Sequence, residues 1–80
     1  MKTNKEATIL RANILGGLTS YIIDEIGNDD ATSLWLTYGV PDGATEDDLM
    51  EIAADEKEFA GILSYAGYLI DMNVKGVFDE

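Results

Sequence analysis

Carboxylates are the only abundant reactive groups in this chain: 16 Asp and Glu stand against 5 Lys and Arg, with no histidine and no cysteine. Adjacent pairs occur at Asp24-Glu25, Asp29-Asp30 and Asp47-Asp48. Helical two-metal centres combine Glu with Glu-x-x-His pairs, and the histidine is missing. An all-carboxylate magnesium site of a hydrolase is what such pairs could still build. Ser20, Ser33 and Ser64 have no imidazole to activate them, and Lys57 or Lys75 would be unusual bases on so small a scaffold. Gly16-Gly17 lacks the G-x-x-x-x-G-K pattern of a phosphate loop. Placing Gly43 sixth in a calcium loop puts Tyr38, Val40 and Leu49 at ligand positions they cannot serve. The expectation is a protein that is not an enzyme and needs no metal or cofactor.

The concentrated signal is a run of acids. Glu46, Asp47, Asp48, Glu51, Asp55, Glu56 and Glu58 face a single Lys57, so residues 46–58 hold six of the chain's net 11 negative charges. Residues 6–26 net only two. On one continuous helix of about 20 Å, that is roughly one net charge per 3.3 Å. A nucleic-acid strand carries about one per 3.4 Å. Asp47, Glu51, Asp55 and Glu58 would share a face if the helix were straight. The plain alternative is a solvated face that keeps a small domain soluble and caps two helices. The sharper reading is a polyanionic surface for a basic partner, such as a nuclease or another nucleic-acid-handling protein. Self-repulsion from such charge destabilises a fold, so an excess beyond solubility argues for a use. Nucleic acid and anionic membranes would be repelled. Trp35 and Tyr38, one helical turn apart, are candidate contacts beside the acids; the competing role for Trp35 is a core anchor.

The elements that must carry these residues read as helices. Eighty residues make one domain, 1–80, with a single small core. A hydrophobic fraction of 46% is ordinary for a folded chain. Turn residues fall at Gly27 to Asp30, at Gly39 to Gly43 and near Asn73. The predicted fold is all-α, a compact bundle of three to four helices over about 4–26, 31–38, 45–55 and 57–72, with a short docked C-terminal segment.

In the first helix, Thr3 and Glu6 have capping-box spacing. Ala7, Leu10, Ile14, Leu18, Tyr21, Ile22 and Ile26 form its expected core stripe, widened by Ile9 and Leu15. Gly16-Gly17 weakens the helix by about 1 kcal/mol per glycine relative to alanine, which suggests a close helix crossing, or else a hinge. Asp30 is the expected N-cap of the second helix, and Gly39 and Pro41 mark its end. Alternation of Leu34, Leu36 and Tyr38 with Trp35 and Thr37 leaves a strand as the competitor there. Thr45 should cap the third helix, with Glu46, Asp47 and Asp48 favoured at its positive end. Leu49, Ile52 and Ala53 would face its core, and extending that face would bury Glu56. A break near Asp55 is therefore expected. The fourth helix would pack Phe59, Ile62, Leu63, Ala66, Leu69 and Ile70, with Ala60, Gly61, Ser64 and Gly67 admitting a close neighbour. Val74, Val77 and Phe78 should dock on the domain.

No stretch approaches the roughly 18–20 apolar residues of a membrane span, and residues 1–5 lead into no signal peptide. With no cysteine, a cytoplasmic setting is expected. In size and charge alone, the chain is similar to small acidic inhibitors: phage-encoded anti-CRISPR and anti-restriction proteins, and helical bacteriocin immunity proteins. That resemblance implies a non-enzymatic binding protein that neutralises a basic partner. A homodimeric interaction module is the alternative, since small domains often gain core by associating.

Overall fold

The computed structural model describes residues 4–78, so the Thr3 cap lies outside the described residues. Four α-helices run in order: α1 (Asn4–Ser20), α2 (Asp29–Tyr38), α3 (Glu46–Ala54) and α4 (Glu56–Val74). α1 continues into a wider π-helical stretch, Tyr21–Ile26, where one unbroken α-helix was expected. The fold is all-α, and Ala31 to Tyr38 is helix rather than strand.

Cross-chain contacts trace the path. Trp35 meets Thr19, a Cβ on Gly16 would meet Leu49, and Arg11 meets Glu56. α2 and α3 thus return along α1 in reverse, forming one broken column. α4 starts beside Arg11 and its C-terminal turn ends beside Asn28, so it runs parallel to α1.

Each end has a local cause. Gly27 adopts the left-handed conformation (φ 62°) and donates to the Ile22 carbonyl, closing the π stretch. The N-cap of α2 is Asn28, two residues ahead of the expected Asp30. Its side-chain oxygen accepts from the backbone N–H of Asp30 and Ala31 at 2.9 and 3.1 Å. The same amide donates to the Phe78 carbonyl at 3.0 Å, tying the C-terminal turn to this cap. Thr45 and Asp48 form a reciprocal capping box at the start of α3. Asp55 both ends α3 and caps α4, accepting from Lys57 and Glu58 N–H at 3.0 Å each. α4 stops in a Schellman motif: Gly76, at φ 80°, donates to Asn73, and Val77 to Met72.

The core centres on Trp35, Leu15, Ile22 and Leu69, all fully buried. Ala12, Ala31, Val40, Ala53, Ile62 and Ala66 complete it. The Trp35 indole N–H donates to the Thr19 hydroxyl at 3.0 Å, and that hydroxyl donates to the Leu15 carbonyl at 2.8 Å. A buried indole donor is thereby satisfied inside the protein. Tyr65 stacks on Trp35 with 3° between the rings and 6.5 Å between centroids. Gly39 is required by this ring, because a Cβ there would fall 2.5 Å from Trp35 Cε3.

Four packing expectations need correction. The buried face of α1 and its extension is Ala12, Leu15 and Ile22, while Ile9, Leu10, Ile14 and Tyr21 are exposed. Periodicity identified the helix but not its inward side, since apolar residues lie almost all round it. Gly16 touches α3 only at ordinary contact distance, and a Cβ on Gly17 would meet nothing within 4 Å, so the glycine pair marks no close crossing within the chain. In α4, Ala60, Gly61, Leu63, Ser64 and Gly67 are exposed, so the small residues receive no neighbouring helix. Phe78 packs on the core, whereas Val74 and Val77 stay exposed.

Candidate acidic surface

The acids of residues 46–58 gather where α3 turns into α4, and all seven are exposed. Their positions follow from local rules. Carboxylates are favoured near a helix N-terminus, and one residue separates the end of α3 from the start of α4. Two helix starts therefore concentrate charge within a short stretch of chain.

The seven divide by task. Asp48 and Asp55 are committed to backbone N–H groups as caps. Glu56 lies 3.5 Å from Arg11, whose guanidinium also stands 5.9 Å from the centre of the Phe59 ring. The side chains of Glu46, Asp47, Glu51 and Glu58 make no hydrogen bond or ion pair among the described residues, leaving their carboxylate oxygens to solvent. The break at Asp55 rules out the single straight face of Asp47, Glu51, Asp55 and Glu58. Asp47 and Glu51 remain one turn apart on α3, while Glu58 belongs to the first turn of α4. The even spacing of one long acidic helix is therefore lost, but the local excess of charge is kept. Among the described residues, no group of three or more acids is placed to hold a metal ion.

The aromatic candidates separate from the acids and from each other. Trp35 is enclosed and anchors the core, so its ring offers no surface to a partner. Tyr38 is 67% exposed and meets Tyr65 edge-on at 6.0 Å. Tyr68, 58% exposed, also stacks on Tyr65, at 6.2 Å between ring centres. These three tyrosines form an aromatic patch across α2 and α4. The spacing of Tyr65 and Tyr68 on α4 was visible in the sequence, but their meeting with Tyr38 depends on how α2 packs. Burial holds the Tyr65 hydroxyl above its ordinary pKa of 10.0, helped by the neighbouring Tyr38 and Tyr68.

A cleft of about 360 Å³ lies between α1 and α3, lined by Ile9, Ala12, Asn13, Gly16 and Gly17 on one side and Glu46, Leu49 and Met50 on the other. It is shallow and mostly apolar. No helix of the described residues is long and apolar enough to cross a membrane. Comparison with known proteins finds no matching family model, curated protein or solved structure.

Proposed function

We propose that this is a non-enzymatic acidic binding protein that neutralises a basic, nucleic-acid-handling partner through the α3–α4 corner. The observation that carries this reading is that Glu46, Asp47, Glu51 and Glu58 are exposed and unpaired. Caps and one ion pair account for the other three acids in the run. None of these four side chains caps a backbone group or pairs with a cation, and each adds repulsion to a chain already at -11.

Electrostatic steering would bring such a surface rapidly to a cationic groove. Tyr38, with Tyr65 and Tyr68 beside it, supplies aromatic contacts of the kind that hold interfaces. Inhibitors of the anti-CRISPR, anti-restriction or immunity-protein type, acting in the cytoplasm, are the class this reading suggests.

The test is retention of a nucleic-acid-handling protein from host lysate at low salt, with duplex DNA as competitor. The wild-type chain should retain it, and added DNA should release it. The pair Asp47→Lys with Glu51→Lys should lose retention without losing helicity. Those positions are chosen because neither caps a helix, whereas Asp55 does. Retention that survives both the charge reversal and high salt would sink the proposal.

A further inference from the structure

We infer that the cleft between α1 and α3 receives a short basic amphipathic helix of the cationic partner, an inference that rests on the acidic surface proposed above. The cleft continues beyond the start of α3. A second hollow of about 250 Å³ lies between α1 and the loop at 40–44, and Gly16 and Leu49 line both. Along the first helix and its π-helical extension, the joined groove runs from Ile9 to Ile23. At about 1.5 Å per residue that is roughly 21 Å, or about four turns of a docked helix.

The glycine pair opens this groove. Gly16 and Gly17 weaken the middle of α1 and mark no close crossing within the chain. Both line the larger hollow. A Cβ on Gly17 would meet nothing within 4 Å, so a longer side chain there would enter space that is now open. Leu49 and Met50, each half-buried, form the opposite wall. Methionine is flexible enough to fit an incoming apolar side chain. The groove is too shallow to enclose most of a small molecule, but it can take the side chains along one face of a helix.

Charge and backbone chemistry identify the occupant. The charged residues lining the two hollows are Asp42 and Glu46, both acids. Both are exposed, and neither side chain has a hydrogen bond or ion pair among the described residues. A second copy, itself at -11, would bring like charge to this rim. A segment carrying lysine or arginine beside its apolar side chains complements it. That segment must also satisfy its own backbone N–H and C=O groups, because an all-α fold offers no strand edge among the described residues. A helix with one apolar face and basic flanks meets both demands.

The probe is a synthetic helix of about 14 alanine and lysine residues, matched to the groove's length, with two leucines one turn apart. Its control replaces both leucines by alanine and keeps every lysine. Each is titrated into the full chain at about 0.05 M salt, where surface charges are little screened, and followed by NMR. The leucine peptide should bind about tenfold more tightly than the control, as expected for partial burial of apolar side chains. It should shift the Met50 methyl and the Gly16 and Gly17 amides, which the control should leave in place. Gly17→Leu fills the groove without a clash and should abolish the difference between the peptides. Asp42→Lys with Glu46→Lys should weaken both peptides. Equal binding of the two peptides, or a preference for leucine that survives Gly17→Leu, overturns the inference and leaves the acidic-surface reading standing. Binding of neither peptide overturns both. A Met50 methyl that shifts with the concentration of the chain alone assigns the groove to a second copy and overturns the inference.

Discussion

Two consecutive stretches of the chain have opposite surfaces. Residues 46–58 carry seven acids and one lysine, and residues 59–70 carry no charge. The first ends in the opening turn of α4 and the second lies wholly within it, and both leave much of their length exposed. Solubility would be served equally well by acids spread along the helix. Their segregation instead sets a strongly acidic corner directly before a charge-free stretch of the same helix.

The contrast is broken outright by removing the frame that both regions share. Trp35→Ala should cost about 3–5 kcal/mol, from the volume of a buried ring and its bond to Thr19. Chemical denaturation should show it, and both surfaces should fail together. Gly39→Ala attacks the same ring from outside and should cost about 1–3 kcal/mol, because the new methyl must displace Trp35 or the backbone. A smaller change acts on the charged region alone. Asp55→Ala removes the cap shared by the α3–α4 corner and should cost about 1 kcal/mol, whereas Glu51→Ala should be nearly neutral in stability. Equal losses at both positions would erase the division between capping and unpaired acids.

The neutral region should respond with the opposite sign. Gly17→Ala should stabilise the chain by up to about 1 kcal/mol, read as a higher midpoint in urea. The smallest effect concerns pH. The raised pKa of Tyr65 means the folded protein holds that proton more tightly than the unfolded chain does. Its contribution is fully present below the ordinary tyrosine pKa of about 10 and is lost as pH rises beyond it. Tyr65→Phe should flatten the alkaline end of the stability profile.

Helix existence and helix ends were largely legible in the sequence, because both depend on neighbours within a few residues. The Thr45 cap, the stop at Gly39 and the break at Asp55 follow from side chains bonding nearby backbone. The Asn28 cap shows the margin of that reasoning. Asn28 and Asp30 are both good caps by type, and Asn28 also reaches the Phe78 carbonyl, 50 residues away. For the candidate site, the exposure of the acids could be read from their type. Their division into caps, an ion pair and unpaired groups could not, since Arg11 reaches Glu56 only through packing.

The sequence by itself thus determined an all-α chain, the boundaries of its helices to within a few residues, and a net charge concentrated at 46–58. Those properties reside in composition and short-range bonding. Only the tertiary structure decided which side of α1 turns inward, that Trp35 is enclosed, that Tyr38 meets Tyr65, and that the glycine-bearing faces of α1 and α4 stay uncovered. A helix with apolar residues almost all round offers several inward faces of similar hydrophobicity. The choice among them is made by the shape of the elements packed against it: Trp35, Ala53 and Leu69 meet Leu15 and Ile22 in one core, leaving Leu10, Ile14 and Leu63 on the outside.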